Sequence, residues 1–357
     1  MTGPHKALDV VARYEIIDYV GAGGMQYVYA ARDTMLDRTV ALKTPKDGAA
    51  EKRFHRSAVV AAKVNHPNVA KTLDYFETNG RQYLVEEFID GEDLDKALVR
   101  KIRYIDPYLA AKLFHHLAKA VSAAHHAGVM HRDLKPTNVM GTGGFDVTEI
   151  KITDFGIAKM AEDELVEAAE GSNGTLTTNA TAVGALPYMS PEAIATPRTV
   201  ERPTDIWSIG AMMYQLMTGV LPFGAGLIAV RNILDGNLPP FPTFLTSNPQ
   251  FAPLASQLMD AVSGCLEKNP SARPTADALV TQFGDLCYPV SRRFTGTVRE
   301  IRHGAWGFIT VNGRDVFFHM DSVFGTRPSR GDPVVLSHYT GGVTPRAHPI
   351  LMIQNPV

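Results

Sequence analysis

Apolar and polar positions change rhythm twice along this chain. Between residues 14 and 90, apolar runs such as YEIIDYV, QYVYAARD, RTVALKT and QYLVEEF alternate with turns, and such alternation marks half-buried strands. The pattern predicts a small antiparallel sheet interrupted by one helix, roughly 50–63. From about 93 to 286 the period lengthens. LAAKLFHHLAKAVSAAHHAG and IWSIGAMMYQLMTG read as amphipathic helices, with Gly128 and Gly219 as their stops. After Pro289 short strands with glycine turns return and the helical signal nearly vanishes.

Charge sharpens that division. The formal net charge is −2, but from Arg292 onward there are eight Arg, no Lys and four acidic residues, a local +4, so the first 291 residues carry about −6. Two units with different partners are implied. A chain of 357 residues, 45% apolar, can bury a full core over two or three domains. Cys265 and Cys287 offer neither a disulfide framework nor metal-ligand spacing, and are expected as partly buried thiols in a reducing compartment. No charged segment leading into an apolar stretch opens the chain, and the longest near-apolar run, around Ile206 to Met217, is too short to span a bilayer. A cytoplasmic location with no membrane partner is the expectation. The Thr-, Gly- and Asn-rich stretch at 171–181 reads as a mobile loop.

The densest chemistry lies in HRDLKPTNVM, residues 131–140. Phosphoryl transfer needs the phosphates held, their charge neutralised and the acceptor hydroxyl aligned, with little covalent work by the protein. Asp133 can accept the hydroxyl proton, Lys135 can neutralise charge on the moving group, and Asn138 can offer an oxygen to Mg²⁺. A second hard ligand follows sixteen residues later as Asp154, where an apolar strand ends in the turn ITDFG.

With these residues in this order, residues 14–286 resemble the eukaryotic-like Ser/Thr protein kinases of bacteria. YMSPEA, DIWSIG and NPSARP follow at the family's separations. The resemblance implies an α+β, bilobal protein kinase fold, with a β-rich lobe at 14–89 and a helical lobe at 90–286, after a tail of residues 1–13. It implies ATP and Mg²⁺ as cofactors and proteins as substrates. Asp133 would be the catalytic base with Lys135 beside it, Asn138 and Asp154 the metal ligands, and Glu192 with Arg273 a structural ion pair. Gly21, Gly23 and Val28 match the glycine-rich lid, Lys43 in VALK would meet the α- and β-phosphates, and Glu87 to Ile89 would form the adenine hinge. Thr178 and Thr181 best match autophosphorylation positions, whose phosphate could pair with Arg132.

Three departures stand out. Gln26 replaces the lid's third glycine, adding a side chain where backbone normally approaches phosphate. Ser57 stands where the family's helix carries the glutamate that pairs with the strand lysine, and Glu51, six residues earlier, points to another face. Ala185 replaces a threonine near the base. Glu86, at the gatekeeper position behind the adenine pocket, is the candidate to reach Lys43 instead; a buried carboxylate there would be costly without a partner.

The last unit, 292–357 after a linker at 287–291, is expected to be a small all-β, OB-type barrel. AWGFIT and VFFH resemble the nucleic-acid-contacting segments of cold-shock domains, whose exposed aromatics stack on unpaired bases. The resemblance implies Trp306, Phe308, Phe317 and His319 as contacts for single-stranded RNA or DNA. Glu300, Ile301 and Ala305 depart from that pattern, and Glu300 is expected to repel phosphate. Two other readings remain open from sequence: a nucleotide-binding pseudokinase scaffold, and a nucleic-acid-binding protein with a regulatory kinase fold.

Overall fold

A computed structural model describes residues 3–22, 26–46, 50–155, 184–197 and 200–354. Gly23, Thr178 and Thr181 lie outside the described residues, as do the side chains of 50–53 and 227. The alternating N-terminal runs form a sheet of strands β1 (Val10–Val11), β2 (Tyr14–Ala22), β3 (Gln26–Asp33), β4 (Arg38–Pro45), β5 (Thr72–Thr78) and β6 (Arg81–Glu87), ordered β1-β2-β3-β4-β6-β5. All its pairings are antiparallel. Asn79 and Gly80, both at positive φ, make the two-residue turn between β5 and β6, the chemistry that a tight hairpin demands. Helix α1 (Ala50–Ala61) interrupts the sheet between β4 and β5. Residues expected as a tail add β1, and His5 reaches Tyr83 Oη at 2.8 Å.

The helical lobe is organised on α2 (Pro107–His126). Asp106 caps it, accepting from the Tyr108 and Leu109 amides, and Pro107 occupies the first turn, where its missing N–H costs nothing. Chain reversal follows at Gly128, φ 72°. The helix Pro203–Thr218 stops at Gly219, φ 78°, where an added Cβ would meet the Arg103 carbonyl oxygen at 2.5 Å. That helix is buried on almost every side, so the amphipathic expectation fails: its surroundings are other elements, not water. Strands β7 (Glu92–Asp93), β8 (Val139–Gly141) and β9 (Ile150–Ile152) form a small sheet, and the β8–β9 hairpin carries Asn138 and Asp154 near its two ends. Among the described residues no helix is long and apolar enough to cross a membrane. The two thiols differ from expectation: Cys265 is fully buried and Cys287 exposed.

Strands β10 (Phe294–Arg302), β11 (Trp306–Val311), β12 (Arg314–His319), β13 (Pro333–Tyr339) and β14 (Arg346–Met352) close into a barrel ordered β10-β11-β12-β14-β13. Val298, Ile309, Val316, Phe318, Leu336 and Ile350 fill it. The barrel is not a loose appendage. Phe324, Val335 and Leu351 belong to the same apolar core as the helical lobe, and His348 stacks on Phe251 at 5.0 Å. Tyr104 Oη meets Thr326 Oγ1 at 2.8 Å, and Tyr108 Oη meets His348 Nε2 at 3.0 Å.

At the centre of this junction Arg293 Nη2 lies 2.7 Å from Asp106 Oδ2, both side chains nearly inaccessible. The two are not aligned for a hydrogen bond, and Arg293 Nη1 has no partner among the described residues, so the contact is Coulombic. Such a pair stabilises little over an apolar substitute, yet breaking it strands a charge. Arg293→Ala alone is expected to cost about 3–5 kcal/mol, whereas Arg293→Met with Asp106→Ser, which keeps a capping oxygen, should recover most of it. Denaturant midpoints of the three proteins check this.

Candidate active site

The loop from His131 to Asn138 follows α2 directly, and one buried carboxylate shapes it. Asp205, in the first turn of the Pro203–Thr218 helix, accepts from the amides of His131 at 2.9 Å and Arg132 at 2.7 Å, and contacts His125 Nε2 at 2.9 Å. Burial opposes its charge, but His125 and the amides prevail and hold its pKa below the usual carboxylate range. These bonds keep Arg132 at φ 68°, a conformation a non-glycine residue holds only when its surroundings insist. DIWSIG was visible in the sequence, but nothing local said that its aspartate would grip a loop 73 residues earlier.

Within the loop the charged groups converge. Lys135 Nζ donates to both oxygens of Asp133, at 3.0 and 2.8 Å. Asn138 Nδ2 donates to the Asp133 carbonyl at 2.7 Å and to its carboxylate at 3.0 Å. The amide end of Asn138 is thereby occupied, and its oxygen is the end left for a cation. The Thr153 amide donates to the Asn138 carbonyl at 2.9 Å, which sets Asp154, at φ 63°, beside Asn138. His131 Nε2 meets the Thr153 carbonyl at 2.8 Å, and its ring lies edge-on to Phe155 at 4.6 Å.

From the sheet, Lys43 enters the same place. Its Nζ lies 2.7 Å from Asp154 Oδ1 and 2.6 Å from Glu86 Oε2. Lys43 pairs across β4–β6 with Leu84, and Glu86 with Ala41. Lys43 and Glu86 are therefore diagonal neighbours on one face, within reach of long side chains. Both are about 95% buried. Burial works against the Lys43 charge, but Asp154 and Glu86 override it and raise its pKa well above the usual range. Two carboxylates share this ammonium unequally. Burial pushes Asp154 up, yet Lys43, His131 and Gln26 outweigh it and leave it lowered. Glu86 stays raised, because burial and the Asp154 charge exceed the pull of Lys43. Ser57 is buried in α1.

Other anticipated residues fall as follows. Gly21 pairs with Val28, and Val28 with Lys43, in the lid and its neighbouring strand. Glu87 ends β6, its amide bonded to the Lys71 carbonyl at 2.9 Å and its carboxylate 3.0 Å from Lys151; Ile89 is half-buried just beyond. Arg273 grips Glu192 with two nitrogens, at 2.6 and 2.9 Å. Gln26, read from sequence only as a departure, is buried and donates through Nε2 to Asp154 Oδ1 at 2.8 Å. Its sole sequence signal was a carboxamide where a glycine was expected.

The donor set suits Mg²⁺. Both lysine and glutamine contacts to Asp154 fall on Oδ1, leaving Oδ2 unclaimed by any side chain among the described residues. Asn138 adds one carboxamide oxygen. Among the described residues no cluster of three His, Cys, Asp or Glu could cage a metal; Mg²⁺ takes one or two protein oxygens and fills its shell with phosphate and water.

On the barrel, Trp306 and Phe308 of β11 and Phe317 of β12 sit half-exposed on the outer face, while Ile309, Val316 and Phe318 point inward. The three rings lie 5.9–6.0 Å apart. His319, opposite Trp306, is exposed. Arg302 covers Trp306 at 5.2 Å and Arg299 covers Phe308 at 5.1 Å. Glu300 accepts from Arg299 at 2.8 Å and Arg302 at 3.0 Å; its charge is compensated rather than bare, which weakens the repulsion expected of it.

Because Glu86 is raised, its ionisation opposes folding: the stability contribution is full below the ordinary carboxylate range and declines as pH rises through the raised value. Glu86→Gln is neutral throughout, so its stability relative to wild type should improve over that window in thermal denaturation, while Lys43 loses one of its two fixed partners. Glu51→Gln should change neither; equal effects of the two substitutions would remove Glu86 from the site.

Residues 14–283 match the family model described as protein kinase domain. A probable serine/threonine-protein kinase of Clostridium perfringens is 32% identical over 283 residues, covering 77% of this chain and 38% of the relative. Serine/threonine-protein kinase pkn3 of Myxococcus xanthus is 32% identical over 278 residues, 75% of this chain and 48% of the relative. The probable PknB kinase of Lactococcus lactis is 36% identical over 248 residues, 67% and 36%. The chain thus spans less than half the length of these curated relatives. A crystal structure of Rad53 1-466 in complex with AMP-PNP superposes with a TM-score of 0.58 at 24% identity, over 76% of this chain and 64% of that one, a likeness of fold. By the match over residues 14–283 and the geometry that unites its signature residues, the chain belongs to the protein kinase domain family.

Proposed function

We propose that the chain transfers the γ-phosphoryl group of ATP to a Ser or Thr hydroxyl of a protein. The observation that carries this reading is the meeting, from both lobes, of two contact groups: Asp133 with Lys135 and Asn138 at 2.7–3.0 Å, and Lys43 with Asp154 at 2.7 Å, joined by the Thr153 amide donating to the Asn138 carbonyl at 2.9 Å. Asp133, held on one side by Lys135 and on the other by Asn138, accepts the proton of the incoming alcohol. Lys135, already beside that carboxylate, offers positive charge to the group in transfer. Lys43, kept cationic by its two carboxylates, takes the α- and β-phosphates, with Glu86 in the part that a helix glutamate plays in the family. Bound Mg²⁺, held by Asn138 and Asp154, neutralises charge on the phosphates. Glu87 and Ile89 are read as the adenine hinge, and Arg132 as the partner of a phosphate on Thr178 or Thr181, which lie outside the described residues. With radiolabelled ATP and magnesium, wild type is expected to label protein serine or threonine and Asp133→Ala to lose at least about 1000-fold of that rate. Nucleotide binding without any labelled hydroxyl would leave a scaffold in place of an enzyme.

The barrel is read as a second site, for single-stranded RNA or DNA. Three outward rings with arginines over them support it, since bases stack on such faces and guanidinium groups meet the phosphates. The local +4 charge agrees. Binding of an oligonucleotide is expected in the micromolar range and to weaken steeply with salt. The pair Trp306→Ala and Phe317→Ala should reduce affinity by about 1–3 kcal/mol per lost stacked base in a gel shift; undiminished binding would end the assignment. Because the barrel shares its core with the helical lobe, an oligonucleotide there is held at a fixed distance from the cleft, and its effect on phosphoryl transfer is measurable in the same assay.

A further inference from the structure

Gln26 lies in the lid strand, yet its contacts belong to the metal ligand. Nε2 donates to Asp154 Oδ1 at 2.8 Å, sharing that oxygen with Lys43 Nζ at 2.7 Å. The other end of the same carboxamide, Oε1, is buried and has no hydrogen-bond partner among the described residues. The two ends of one carboxamide are about 2.2 Å apart, so Oε1 lies within about 5 Å of the Asp154 carboxylate. A buried acceptor without a donor is an unfavourable arrangement that folded proteins rarely keep without use. Turning the amide over does not cure it, because Oε1 would then face a carboxylate oxygen. What satisfies Oε1 is a cation or a bound water beside Asp154, and a hard divalent ion takes neutral carboxamide oxygens of this kind.

We infer that Gln26 is a positioning residue for the divalent cation at Asp154, its Nε2 fixing Oδ1 and its Oε1 completing the ion's shell directly or through one water. The inference rests on the reading of Asp154 and Asn138 as metal ligands. It assigns a use to a substitution that otherwise only burdens the lid: where the family's glycine brings backbone to phosphate, this chain brings a side chain to the metal. Gln26 begins β3 opposite Pro45, two residues before Val28, which pairs with Lys43, so lid, lysine and cation would be set by one hairpin.

The test measures the ion rather than turnover. Mn²⁺, followed by electron paramagnetic resonance, is titrated into the full chain saturated with a non-hydrolysable ATP analogue, and analogue affinity is measured separately without metal. Gln26→Ala and Gln26→Gly are expected to weaken Mn²⁺ about ten-fold, the scale for outer partners of a metal site, at analogue saturation; the separate metal-free analogue affinity of each variant sets the concentration that reaches saturation. Gln26→Glu restores a hard oxygen but loses the Nε2 donor, so Mn²⁺ should bind at least as well as in Gln26→Ala. Mn²⁺ binding unchanged in Ala and Gly overturns the role of Gln26 alone. Tighter binding in both overturns it too, since the side chain would then be a competitor for Asp154. If wild type holds the analogue but no Mn²⁺, the assignment of Asp154 and Asn138 falls with it. Circular dichroism of each variant confirms that the lid substitution leaves the fold intact.

Discussion

One buried ammonium organises the candidate active site of this molecule. Lys43 stands between Glu86, on its own sheet, and Asp154, at the end of the β8–β9 hairpin, so the contact that holds the lysine also joins the two lobes. Moving a lone ammonium out of water is strongly unfavourable, and two carboxylates more than offset that cost. The excess negative charge falls on Glu86, which lacks the extra donor that Gln26 gives Asp154.

Moving the lysine's partner from α1 to β6 has a mechanical consequence. A carboxylate on a helix can be withdrawn when the helix swings; one on the neighbouring strand is locked in register by the ladder Val40–Lys43 against Leu84–Glu87. In this chain the Lys43–Glu86 contact therefore forms wherever the sheet forms.

That junction is built as a core, not as a hinge. The barrel's Phe324, Val335 and Leu351 pack into the helical lobe, and Arg293 sits against the capping residue of α2. The same helix, about 30 Å long at 1.5 Å per residue, ends beside the loop that carries Asp133. Arg293 also donates its amide to Asp146 at the tip of the β8–β9 hairpin, so the barrel touches both elements that flank the candidate site.

Much of this was legible in the chain itself. Alternation marked the strands, Gly128 and Gly219 stopped their helices, and HRDLKPTN with DFG marked the polar groups that the fold brings together beside Lys43, because those groups lie at short local spacing. The pairing of Lys43 with a strand carboxylate could be anticipated from a glutamate at an apolar position. Tertiary structure alone decided the rest. Asp205 reaches a loop 73 residues away, Gln26 meets Asp154 across 128, and Arg293 meets Asp106 in the junction; none leaves a periodic trace. The helix Pro203–Thr218 shows the same limit, since a polar position faces water or a neighbour only according to what packs on it. Sequence determines which groups can do chemistry and how each segment coils; which distant charges face one another is set by the packing of elements, where the cost of an unpaired buried charge selects the arrangement.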